Sequence, residues 1–201
     1  MYGLINRSFQ NFLADTYGRE MWQRVHRRAG FPFADFEPML PYDDELTDQL
    51  ISAASAELKK PHESVLEDAG TYLVSHPNAE SLRRLLRFGG GDFIEFLQSL
   101  DDLPERARLA VPDLDMPEIF LDEITTRNFN IEVKSCYSIF GHVLLGLLRA
   151  MADDYGALVF MEYQGRTGTT QILTLNVLET SFSEGRSFEL GTTTAPRKGD
   201  R

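Results

Sequence analysis

The sequence predicts an α+β fold, on the strength of a change of grammar near residue 117. Residues 1–110 repeat apolar side chains at three- and four-residue spacing, punctuated by Gly, Pro and acidic residues, which is helical patterning. After Pro117, Ile119-Phe120-Leu121 and Phe129-Asn130-Ile131-Glu132-Val133 read as strands, the second alternating apolar with polar. One apolar helix and two more strands follow.

In order along the chain, Leu4, Ile5, Phe9, Phe12 and Leu13 share one side of a helix over 4–16, and Gly18 stops it. A second helix runs through Trp22 and Val25 and closes at Gly30, a natural C-terminal cap. Pro32, Pro38 and Pro41 make 31–42 a loop. Asp43 or Asp44 can cap a helix to about Leu58. Pro61-His62-Glu63 opens the next, through Val65, Leu66, Ala69, Tyr72 and Leu73, and the Ser75-His76-Pro77-Asn78 turn ends it. Leu82, Leu85 and Leu86 mark another, broken by Gly89-Gly90-Gly91, and Phe93, Phe96, Leu97 and Leu100 mark one more.

The apolar helix spans about Ile139 to Asp153, with Phe140, Val143, Leu144, Leu147, Leu148 and Met151 at helical spacing. Ala157–Tyr163 and Thr170–Val177 are expected strands, joined by a turn at Gln164-Gly165-Arg166-Thr167-Gly168. No repeat or linker separates independent domains. The expectation is one domain over 1–180, with a helical subdomain near 1–60 and a pocket-forming part over 61–180. A mobile tail is expected over 181–201, rich in Gly, Ser, Thr and charge.

With 201 residues the chain can bury a sizeable core. Its 14 Phe and 7 Tyr suit either ordinary packing or the wall of a bulky apolar pocket. A net charge of −11 disfavours nucleic acid and anionic membrane as partners. A single cysteine, Cys136, leaves no intramolecular disulfide and fits a reducing compartment. There is no secretory signal pattern, and the run from Val143 to Leu148 falls far short of the ~20 residues of a spanning helix. The expected location is cytoplasmic.

Several segments resemble a known family. Met1-Tyr2-Gly3-Leu4-Ile5-Asn6, Tyr17-Gly18-Arg19-Glu20-Met21-Trp22 and Arg28-Ala29-Gly30-Phe31 look like the amino terminus of an H-NOX domain, the haem-nitric oxide/oxygen binding sensor of soluble guanylate cyclases and bacterial relatives. Leu100-Asp101-Asp102-Leu103-Pro104 and Val133-Lys134-Ser135-Cys136-Tyr137 are similar to its core motifs. The resemblance covers about 1–180. It implies a helical N-terminal half packed against a half of antiparallel sheet plus helices, with haem b between them.

The resemblance also says where haem would be held. An axial histidine normally follows the Leu-Asp-x-Leu turn, a Tyr-x-Ser-x-Arg motif clamps the propionates, and a proline presses on the porphyrin. Those positions fall here on Pro104, on Val133, Ser135 and Tyr137, and on Pro117. Iron needs an imidazole, thiolate, thioether or phenolate ligand. Pro104 has none and lacks even a backbone N–H, so it suits the start of a helix, with Asp102 or Leu103 at the cap. Val133 is apolar, and Tyr137 offers one neutral hydroxyl where Arg would offer a permanent bidentate cation. Only Ser135 of the clamp remains. Pro117 is kept, but prolines between helix and strand are also common loop residues.

Of four histidines, His26, His62 and His76 fall at expected surface positions. His142 falls in the apolar helix, where some relatives place a distal tyrosine. It can be a metal ligand or a donor to a bound gas, or a boundary histidine bonded to a carbonyl. Ile5, with Phe9, would line the distal wall in the same comparison. Cys136 alternates with Ser135 and Tyr137, so it should face away from them. Gly89-Gly90-Gly91 lacks the Lys-Ser/Thr of a P-loop, and no nucleophile–base arrangement suggests an enzyme.

The candidate cofactor-binding residues are therefore Ile5, Pro117, Ser135, Tyr137 and His142. The usual metal-ligand position is Pro104, and His142 is the pocket candidate in its place. The expected function is a non-catalytic signal-input protein that has lost ordinary haem ligation. It would bind no cofactor or another tetrapyrrole or apolar ligand. It would act through a separate effector, a histidine kinase or a cyclic-nucleotide or cyclic-dinucleotide enzyme. The alternative is a haem-binding nitric oxide or oxygen sensor with a non-standard ligand such as His142, its propionates left to Ser135, Tyr137, Lys134 or Arg149.

Overall fold

A computed structural model describes residues 1–188. The helices are α1 (Gly3–Tyr17), α2 (Arg19–Ala29), α3 (Asp44–Leu58), α4 (His62–Ser75), α5 (Glu80–Arg87), α6 (Phe93–Gln98), α7 (Leu103–Ala110) and α8 (Ile139–Tyr155). The strands are β1 (Glu118–Thr125), β2 (Asn128–Lys134), β3 (Leu158–Thr167) and β4 (Thr170–Glu179). They form one antiparallel sheet in the order β1-β2-β4-β3.

The pleat explains which side of the sheet is buried. Phe129, Ile131 and Val133 of β2 alternate inward, and they pair in register with Leu175, Leu173 and Gln171 of β4. These rows, with the apolar face of α8, make one core. A second core gathers α1 to α4 around Phe12, Trp22, Phe36, Leu50 and Val65, and Ile139 of α8 reaches into it.

Glycine joins the two cores. A Cβ on Gly70 of α4 would stand 2.0 Å from the Val143 carbonyl oxygen, so the two helices meet backbone to backbone. α8 ends in a left-handed Gly156 at φ 75°.

The structure differs from the sequence expectations in four places. Asp43 is the cap residue of α3, but its side chain makes no capping bond. The β3–β4 hairpin does not turn over 164–168. β3 continues through a bulge at Gln164, next to Gly165 at φ 127°, and reverses at Gly168 and Thr169. His26 is half-buried and bonds the Phe33 carbonyl instead of lying in solvent. Cys136 is not on a strand, because β2 stops at Lys134.

The described start of the expected tail is hydrogen-bonded to the rest of the chain. The amides of Phe182 and Ser183 donate to the Gly156 carbonyl, and that of Arg186 donates to the Asp154 carbonyl. Arg83 donates from Nε to Asp154 Oδ1 at 2.7 Å and from Nη2 to the Ser187 carbonyl at 3.3 Å. A buried ion pair thus holds a segment whose composition alone reads as loose. Residues 189–201 of the expected tail lie outside the described residues.

Candidate functional site

A cleft of about 250 Å³ lies where the two cores meet. Its walls come from α1 (Leu4, Ile5, Ser8, Phe9), α4, α5, α7, α8, the approach to β1 (Leu114, Met116, Pro117) and Ile119 of β1. α8 contributes Ile139, Phe140, Val143, Leu144 and Leu147, its stripe between the helical half and the sheet half. No lining residue is charged. The one hydroxyl, on Ser8, donates back to the Leu4 carbonyl of its own helix at 2.8 Å. The cleft is partly open to solvent, and its almost wholly apolar lining suits an apolar occupant.

The candidate residues divide in two. Ile5 and Pro117 line the cleft, while His142, Ser135 and Tyr137 do not. His142 lies in a separate, polar cavity of about 320 Å³, with Asp48, Ser52, His62, Glu63 and Tyr163. Its Nδ1 stands 3.3 Å from Glu67 Oε1, and its ring lies 4.1 Å from that of Tyr163. Arg149 also pairs with Glu67. Burial raises the Tyr163 hydroxyl above its ordinary range, against the nearby Arg166 cation.

The clamp positions are likewise engaged elsewhere. Ser135 Oγ accepts from the Tyr137 amide at 3.1 Å. Tyr137 sits beside Asp44 in another small cavity. Burial and the Asp44 carboxylate together push its hydroxyl pKa well up. Val133 is buried within the sheet core. Lys134 pairs with Glu132 and lies over the Phe120 ring.

Gln171 is a participant that motif reading passed over. Fully buried, it accepts from the Gly141 amide at 3.1 Å and donates to the Tyr137 carbonyl at 3.2 Å. It ties the turn before α8 to β4. A polar residue on the inward row Gln171-Leu173-Leu175-Val177 was the available signal.

Pro104 occupies the first turn of α7, where its missing N–H costs nothing. α7 presents Leu103 and Ala107 to the cleft. Among the lining residues Met116 offers a thioether and none offers an imidazole, thiolate or phenolate. Thioether ligation in haem proteins commonly accompanies a histidine, and here no such partner lines the wall. With no cation there for the propionates, this donor set does not fit haem held in the usual way. Among the described residues no three His, Cys, Asp or Glu are grouped to hold a metal ion.

An apolar cleft between a helical half and a sheet half has the form of a small-molecule binding pocket. The Haem-NO-binding (HNOB) family profile matches residues 2–163, and the chain belongs to that family of H-NOX gas-sensing, signal-transducing domains. It is similar to soluble guanylate cyclase gcy-31 of Caenorhabditis elegans, at 24% identity over 77% of this chain and 22% of that protein. Soluble guanylate cyclase 89Db of Drosophila melanogaster is 23% identical over 81% of this chain and 24% of its own length. The chain therefore spans about a quarter of the curated relatives it matches.

The unliganded Fe(II) H-NOX protein from K. algicida superposes with a TM-score of 0.76 at 20% identity, over 92% of this chain and 100% of that one. An H-NOX protein from S. oneidensis in the Fe(II)NO state gives 0.74 at 13%, over 89% and 100%. These likenesses establish the H-NOX fold. Among the described residues no helix is long and apolar enough to cross a membrane.

Proposed function

We propose that this chain is a non-catalytic signal-input domain of the H-NOX family in which ordinary haem ligation has been lost. The observation that carries the reading is α7. It presents Leu103 and Ala107 to the cleft, and a buried proline, Pro104, occupies the place to which the family resemblance assigns the axial imidazole. The clamp residues support it, since neither Ser135 nor Tyr137 lines the cleft and Tyr137 lies beside Asp44 in another cavity. The signalling unit is residues 1–180, acting in the cytoplasm. Its output passes to a separate effector, a cyclic-nucleotide or cyclic-dinucleotide enzyme or a histidine kinase. The guanylate cyclase relatives favour the cyclase class.

The test is the visible spectrum of protein expressed with haem precursor supplied. The expected product is colourless and melts cooperatively. A stoichiometric Soret band overturns the reading, and its loss in His142→Ala would identify that imidazole as the replacement ligand.

A further inference from the structure

The cleft has a size, a charge and a chemical texture that together select a class of ligand. An apolar cavity of about 150 Å³ admits benzene. By that scale the present cleft, about 250 Å³, takes a molecule of about ten carbon atoms. Its walls are mainly branched aliphatic side chains, with Phe9 and Phe140 the two rings. They carry no charge, and the Ser8 proton is already given to Leu4. A carboxylate or ammonium group buried here would have no partner and would be strongly disfavoured.

We propose that the cleft binds a neutral, predominantly hydrocarbon small molecule of about ten heavy atoms. This rests on the reading that haem is not held there. The ligand would bridge the two cores. Ile5 and Phe9 belong with the second, the α1–α4 core, whereas Leu86, Leu103 and Ile119 belong with the first, the sheet core. Occupancy would thereby set how closely α1 approaches α7, and an effector could read that spacing.

The experiment uses the full chain and n-butylbenzene, a neutral hydrocarbon of the stated size, with octanoate as an anion of the same size. Methyl NMR reports the site directly. The Ile5 and Ile119 methyls should shift with n-butylbenzene, while Ile172, which does not line the cleft, stays still. Ala107→Phe, which fills the wall from α7, should weaken binding at least about tenfold while the fold persists by circular dichroism. Should that variant fail to fold, the methyl shifts of the wild type decide alone. A folded, colourless protein whose Ile5 and Ile119 methyls do not respond overturns the proposal and leaves the haem-free reading intact. Equal binding of octanoate overturns the neutral class. A Soret band in the same preparation defeats the underlying reading instead.

Discussion

Gly146 of α8 lies so close to Glu67 of α4 that a Cβ on it would stand 1.9 Å from the Glu67 carbonyl oxygen. With Gly70 facing Val143 in the same crossing, the two helices leave no room for a side chain at either glycine. The contact matters for the cleft because Ala69 and Leu73 line it from one helix and Val143, Leu144 and Leu147 from the other.

Gly146→Ala should therefore be destabilising although alanine favours a helix by about 1 kcal/mol over glycine. The obstructing atom is backbone, so the helices must part, and overpacking of this kind costs about 1–3 kcal/mol. A urea titration should show a net loss of stability. A neutral or stabilised variant would show that the crossing is looser than described.

The pair Arg83 and Asp154 is buried on both sides, at 4% and 2% exposure. Asp154→Ala should leave the guanidinium without its main partner and cost about 3–5 kcal/mol in denaturant. Arg186→Ala, which removes a half-exposed side chain 3.9 Å from the same carboxylate, should cost well under about 1 kcal/mol. Amide exchange at Ser183 and Arg186 should quicken in the first variant. Equal effects of the two would show that Asp154 does not anchor this segment.

The helical half was readable because its signals are local. Gly18 and Gly30 stand at positive φ where the spacing breaks, and Pro61 precedes α4. The hairpin was misplaced because Gly165 and Gly168 look alike in sequence, yet one follows a bulge within β3 and the other is in the turn. The contacts of residues 182–187 were not readable because their partners, Gly156, Asp154 and Arg83, are far away in sequence.

In the site, periodicity places His142 on α8 but does not say which of two flanking cavities it faces. That depends on where α3, α4 and β3 end up, which is tertiary information. Ser135 and Tyr137 read as one strand face only if β2 continues past Lys134. It does not, because Gln171 captures the following turn.

Acid should act through Asp15. Burial opposes its charge, but bonds from Tyr72 at 2.6 Å and Asn78 at 2.9 Å outweigh that, and its pKa falls below the ordinary 3.8. Its contribution is complete above about pH 4 and is lost as pH falls through the lowered folded value. Asp15→Asn should cost about 1 kcal/mol at neutral pH. The gap from wild type should close as both are titrated towards pH ~2. A gap that stays constant across that range would remove the carboxylate's charge from the account.

Alkali should act through tyrosines that resist ionisation. Burial raises Tyr72, Tyr137 and Tyr155. Tyr72 and Tyr137 gain further from Asp15 and Asp44, and Tyr155 reaches about 12 although the Arg87 cation over its ring pulls the other way. In the unfolded chain these phenols titrate near ~10. Above that pH the folded state binds more protons than the unfolded one, so stability should decline as pH climbs from about 10 to 12. Ultraviolet titration of the folded protein should show part of the tyrosine absorbance change delayed beyond pH ~11 and released at once in urea. Tyr155→Phe should soften the decline, because it removes one proton that the folded state retains. If all seven tyrosines ionise together near pH ~10 in the native protein, the burial argument fails for each of the three.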